Sequence, residues 1–156
     1  MTLNLESDGF SRRFVSRLGK RSGLHARIPG MENVLGRYRA TIYVLLRVVA
    51  GLAFAEHGAQ KLFGVLGGTA QPLTSQFGLA GIIEFLGGIM IAIGLFTSPV
   101  AFIASGQMAW AFFQQHFPRG WWPIQNGGEL AVVYCFLWLF VAATGSGKWS
   151  VDALRK

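Results

Sequence analysis

Four apolar stretches, each near the length that crosses a bilayer, constrain this chain more than any other feature. They run over about residues 40–60, 78–96, 99–117 and 127–144. A helix rises 1.5 Å per residue, so about 20 residues match a hydrocarbon core of roughly 30 Å. Arg47, Glu56 and His57 are the only ionisable groups besides Tyr43 in the first stretch, and Glu84 is the only one in the second. Thr97-Ser98-Pro99 leaves room for just a tight connection, so the second and third stretches form a hairpin, with Pro99 suited to a helix start. The third stretch stops at Pro118, and the fourth ends before Gly145 and Gly147. Charged residues make up 13% of the 156, about half the usual share of a soluble domain. With 52% hydrophobic residues and a mean hydropathy of +0.42, no amphipathic helix is left to face water. The predicted fold is all-α, an integral membrane four-helix transmembrane bundle.

Charge sets the orientation. Arg27, Arg37 and Arg39 precede the first span, and Lys148, Arg155 and Lys156 follow the fourth, whereas Lys61 and Arg119 are the only cations in the connections on the other side. Positive residues stay inside, so both termini are expected on the cytoplasmic side of the membrane. Trp121 and Trp122 then suit the outer interface, and Trp149 the inner one.

Residues 1–39 read as a basic tail ahead of the membrane domain of 40–156. They hold eight of the fourteen Lys and Arg against three acids, within a net charge of +7. A basic tail before an apolar body points to anionic lipid and away from nucleic acid. Phe10, Phe14 and Leu18 recur every fourth residue among five cations, as in an interfacial amphipathic helix, while Gly19, Gly23 and Gly30 equally suit a disordered tail. No stretch there is apolar enough for a signal-peptide core, so no cleavage is predicted, and Met31 is an alternative start. The lone Cys135 excludes an intrachain disulfide.

Polar groups within spans are expensive, so their depth is informative. In the orientation above, Glu56, His57, Gln60 and Lys61 lie at the outer end of the first helix. Gln114, Gln115 and His116 close the third, and Asn126 and Glu129 open the fourth. Glu84 lies deeper, six residues into the second helix. The candidate cluster for a ligand or proton site is therefore Glu56, His57, Gln60, Lys61, Glu84, His116, Asn126 and Glu129. A carboxyl at Glu84's depth needs a cation or a proton, and Lys61 and His57 are its nearest partners by depth. The alternative role for the cluster is interhelical hydrogen bonding, worth about 0.6 kcal/mol per bond. Arg47 lies in the inner half, where snorkelling to the inner head groups is expected. Gly81, Glu84, Gly88 and Ala92 share a face of the second helix, and Ala101, Ser105 and Ala109 offer a matching stripe on the third. Close packing between those two helices is expected to draw Glu84 inward. No phosphate-binding Gly-Lys-Ser/Thr loop, paired cysteines or His-x-x-x-His occurs, so no metal site and no self-contained catalytic motif are predicted.

Several segments, taken in order, resemble the DoxX family of small bacterial membrane proteins. These are Ala55-Glu-His-Gly-Ala-Gln-Lys-Leu-Phe-Gly64, Gly81-Ile-Ile-Glu-Phe-Leu-Gly-Gly88 with Gly94-Leu-Phe-Thr97, Pro118-Arg-Gly through Pro123, Asn126-Gly-Gly-Glu-Leu-Ala131 and Gly145-Ser-Gly-Lys-Trp-Ser-Val-Asp152. The resemblance covers about residues 40–156 and implies a four-helix inner-membrane protein. The family takes its name from a subunit associated with a terminal quinol oxidase. Relatives are linked to quinone-dependent thiosulfate oxidation and to oxidative-stress complexes. The resemblance also places His57, Gln60, Lys61, Glu84, Asn126 and Glu129 at recurring polar positions. The expected role is a membrane subunit of a quinone-linked redox or oxidative-stress assembly, with a quinone as candidate cofactor and membrane or redox proteins, or further copies of the chain, as partners. A non-enzymatic scaffold or assembly factor is the alternative, and a small transporter ranks third because no pair of repeats is recognisable.

Overall fold

The structure is a computed structural model that describes residues 30–155. The tail segment from Phe10 to Leu18, with its helical and disordered alternatives, lies outside the described residues. The chain divides into two compact units at Arg37/Tyr38. In the first, the described part is a short helix, α1 (Met31–Gly36), whose N-terminal Gly30 accepts from Asn33 N–H at 2.8 Å.

The second unit is built from helices, and no strand occurs among the described residues. Helix α2 (Arg39–Phe63) and helix α3 (Gln76–Ile93) are each long and apolar enough to cross a membrane. Helix α4 (Thr97–Ala111) runs on through a π-helical turn (Phe112–His116) and a 3₁₀ turn (Phe117–Arg119). A short helix α5 (Pro123–Asn126) leads into α6 (Glu129–Thr144), and α7 (Val151–Leu154) follows. The apolar stretches thus map onto the four long helices, with ends displaced by a few residues. Local chemistry sets those ends. Ser75 Oγ caps α3 by accepting from Gly78 N–H at 3.0 Å, and Gly94 closes it in the left-handed conformation, φ 76°. Pro118 lacks an N–H and crowds the preceding turn, and the helix ahead of it is widened, with Phe117 N–H bonding to Phe112 O five residues back.

The packing partners differ from expectation. The glycine face of α3 meets α2, not α4. A Cβ on Gly88 would lie 2.5 Å from Gly51 O and 2.7 Å from Ala55 N. Gly58 approaches Gly81 and Phe85 in the same way, so the two helices run antiparallel in backbone contact. The Ala101/Ser105 stripe of α4 instead faces α6, where Ser105 Oγ donates to Cys135 O at 2.8 Å. Small residues on both helices decide this: α2 carries its own Gly51, Ala55 and Gly58 at helical spacing. All four long helices meet in one core around Phe54, Ile91, Ala104, Met108 and Trp138.

A second correction concerns Arg47. It does not snorkel; it is 1% exposed, and its guanidinium donates to the carbonyls of Ser146 and Trp149 (3.0 Å to the latter). Tyr43 OH donates to Gly145 O beside it. The segment after α6 therefore folds back across the ends of α2 and α3, and Asp152 N–H donates to Gly94 O at 2.9 Å. The Asp152 carboxylate accepts from the N–H groups of Phe96 (2.9 Å) and Thr97 (3.0 Å), which caps α4 from a distant part of the chain. Phe96 and Trp149 are both left-handed, φ 47° and 51°, a conformation costing a non-glycine residue about 1–3 kcal/mol. Asp152 holds the first and Arg47 the second. We refer to this as the Arg47 end of the unit, and to the opposite one as the Lys61 end.

Candidate functional site

At the Lys61 end, helix geometry brings one ion pair into the interior. Lys61 lies in the last turn of α2 and Glu84 in the middle of α3, and the close approach of the helices at Gly58 and Gly81 sets them side by side. Lys61 Nζ donates to Glu84 Oε2, so of the two partners considered from depth it is Lys61 that holds the carboxylate. Exposure is lopsided: the Lys61 side chain is 28% exposed and that of Glu84 2%. The other carboxylate oxygen is used as well, since Gln107 Nε2 of α4 donates to Glu84 Oε1 at 3.1 Å. Buried carboxylates persist when paired and hydrogen-bonded, and Glu84 has both.

The pair opens onto a cavity of about 390 Å³ lined by α2, α3, α4, the turns after α4, and α6. Its polar groups are His57, Lys61, Glu84, Gln107, Gln115, His116 and Arg119; Phe54, Phe77 and Tyr134 supply much of its apolar wall. The widened turn before Pro118 carries Gln115 and His116 to the cavity wall. His116 Nδ1 donates to the backbone carbonyl of Asn126 at 3.3 Å, which leaves Nε2 of the neutral ring as an acceptor. His57 stands edge-on to Tyr134, centroids 6.4 Å apart, and Tyr134 stacks on the fully buried Trp138 at 5.5 Å. The site is thus an apolar chamber with a few convergent donors and one carboxylate, the common design of a pocket for a small organic molecule.

Of the eight sequence candidates, His57, Lys61, Glu84 and His116 line this cavity. The other four do not. Glu56 and Glu129 are exposed on α2 and at the start of α6. Gln60 donates to Leu66 O at 2.9 Å and pins the α2–α3 loop. Asn126 is buried, donating to Gly120 O (2.7 Å) and accepting from Gly128 N–H (2.8 Å), so it shapes the turn into α6 and presents its carbonyl to His116. Gln107 and Tyr134 escaped the sequence reasoning. Gln107 falls about two helical turns before the 114–116 polar group, and its spacing along α4 was the one available signal; nothing local marks Tyr134. Among the described residues no group of three His, Cys, Asp or Glu is arranged to hold a metal ion.

Comparison with known proteins places these features in a family. The DoxX family model matches residues 42–116, which span α2 to the π-helical turn and include Lys61, Glu84, Gln107 and His116. An uncharacterised protein of Haemophilus influenzae is 37% identical over 127 residues, covering 77% of this chain and 95% of the relative. No solved structure matches.

Proposed function

The chain belongs to the DoxX family, and from that premise we propose that it is a four-span membrane subunit of a quinone-linked redox assembly that takes a quinone head group in the Lys61/Glu84 cavity. In this reading α2, α3, α4 with its following turns, and α6 cross the bacterial inner membrane. The Arg47 end faces the cytoplasm and the Lys61 end faces out. Support comes from the excess of Lys and Arg flanking the Arg47 end and from Trp121 and Trp122, both largely exposed, near the other. Fluorescent or phosphatase fusions at residues 70 and 123 test the orientation; a cytoplasmic readout at either reverses it.

The observation that carries the ligand assignment is the chemistry of the cavity lining. A quinone presents a flat apolar ring and two carbonyl acceptors. Phe54, Phe77 and Tyr134 provide flat apolar walls, and Lys61, His57 and Arg119 provide donors. A volume of about 390 Å³ falls in the range of small-molecule sites. The bound group would supply the two-electron chemistry, with electrons coming from a partner protein or substrate. The residues of the chain orient the ring and hold protons: Glu84 next to Lys61 and Gln107, and His116 through Nε2, are the groups able to give or take them. Titrating a benzoquinone analogue into the purified protein in lipid nanodiscs tests the proposal. Saturable binding that weakens about tenfold or more in His57→Ala and Lys61→Met is expected. Affinity unchanged in these variants and in Glu84→Gln removes the cavity from the account.

A further inference from the structure

Helices α3 and α4 are joined by a tight turn at the Arg47 end and stay in contact there: a Cβ on Gly87 would meet Val100 Cγ1 at 3.4 Å. Toward the Lys61 end they separate. The two touch each other far less extensively than α2 touches α3 or α4 touches α6. The gap holds a second cavity of about 380 Å³, walled by the first two turns of α3, by α4 from Ile103 to Ala111, and by Gln114 and Gln115 of the π-helical turn. Leu79, Ile103 and Trp110 on its walls are each more than half exposed, so it opens on the outer face of the unit. It also adjoins the cavity at Lys61 and Glu84, with Phe77, Ala80, Gln107, Ala111 and Gln115 forming the wall common to both.

The lining is graded along the groove. Gln76, Gln114 and Gln115 stand at the Lys61 end, and Ile83 and Ile103 lie deeper along the helices. An amphiphile fits this grading in one sense only, with its head toward the amides and the ion pair and its chain along Ile83 and Ile103. We propose that this groove between α3 and α4 is a lateral portal that admits the ligand from the lipid phase and seats its apolar tail while the head occupies the cavity at Lys61 and Glu84. The inference rests on the quinone reading above and sharpens it: the ligand class is a long-tailed membrane quinone, and a water-soluble ring compound uses only half of the site. The physical reason is that a head group delivered through lipid needs no aqueous entry, and a chain packed against Ile83, Ile103 and Trp110 adds contacts that lipid alone makes less regularly.

Two benzoquinones with the same ring, one bearing a decyl chain and one without a tail, distinguish the possibilities in nanodiscs. The proteins are the unaltered chain, Ile83→Trp and Ile103→Trp. The substituted positions lie on different helices, and Ile103 is 57% exposed, so the second variant disturbs no core packing. Filling the groove is expected to weaken the tailed quinone about tenfold and leave the tail-less one within about twofold. Equal losses for both quinones, or no loss for either, overturn the portal; the latter is also the result if a phospholipid chain is the groove's occupant. Binding of the tail-less ring with indifference to the groove leaves the quinone reading standing. Failure of both quinones to bind the unaltered protein removes that reading and the portal with it.

Discussion

Replacing Gly58 by alanine tests the packing on which the site depends. An added Cβ would lie 2.2 Å from Phe85 N and 2.7 Å from Gly81 O, where ordinary contact begins at 3.4 Å. The helices must therefore separate by about 3.4 − 2.2 = 1.2 Å at that point. Both obstructing groups are backbone, so no side chain can swing aside. Overpacking of this kind costs typically 1–3 kcal/mol, and a clash with backbone belongs at about the upper figure. Alanine's better helix propensity offsets about 0.8–1.0 kcal/mol, which leaves a net loss of about 2 kcal/mol. Gly106→Ala is the control, because a Cβ there has no neighbour within 4 Å; it should be neutral or gain up to about 1 kcal/mol. Unfolding each variant in mixed micelles with increasing anionic detergent gives the comparison. Equal midpoints for Gly58→Ala and Gly106→Ala would refute the claim that α2 and α3 touch through backbone. Because Lys61 follows Gly58 by less than one turn, the first variant should also weaken quinone-analogue binding, and the second should not.

Lys61→Met leaves the buried Glu84 carboxylate with Gln107 as its one remaining partner. With Lys61 itself 28% exposed, the loss should fall below the usual 3–5 kcal/mol, at about 2–3 kcal/mol, and Lys61→Met/Glu84→Gln together should recover part of it; additive losses would mean that the two side chains do not interact. Arg47→Ala removes the donors to the Ser146 and Trp149 carbonyls, so amide hydrogen exchange across residues 145–152 should accelerate at least tenfold; unchanged protection would show that the segment is held by something else. The Thr97 and Phe96 N–H groups, the former contributing most, hold the Asp152 pKa below its ordinary value of 3.8. That contribution is complete above 3.8 and disappears as the pH falls through the lower folded-state value, so the unaltered protein should lose stability over that acidic window and Asp152→Asn should not. At neutral pH Asp152→Ala, which removes both acceptors, should cost about 0.5–2 kcal/mol, measured by the same unfolding titration.

The helices were legible because apolar length is a property of single segments, and the Lys61/Glu84 pair because depth along two helices can be counted. Pairing was not. The glycine face of α3 could serve any neighbour, and choosing between α2 and α4 required comparing Gly51, Ala55 and Gly58 with Ala101 and Ser105 as surfaces. Glu56, Gln60, Asn126 and Glu129 share the right depth with the cavity but not its direction: a helix turns 100° per residue, so Glu56 faces away where His57 faces in. Arg47 was misread for a different reason. Its partners are carbonyls about a hundred residues away, and backbone acceptors leave no mark in a sequence. The Asp152 cap on α4 is equally remote, 55 residues from Thr97.

The Arg47 contacts also bear on the order in which the molecule can be made. In a chain inserted helix by helix, α2 enters the membrane with its guanidinium long before Ser146 and Trp149 emerge from the ribosome. Until then the charge must draw on water, lipid phosphates or the insertion machinery, at up to about 2.5–3.5 kcal/mol for an arginine deep in a span. If the four spans proposed above insert in order, the early helices stay provisional until residues 146–152 arrive. On that four-span reading, a substitution in that short segment is expected to act first on the yield of correctly inserted protein.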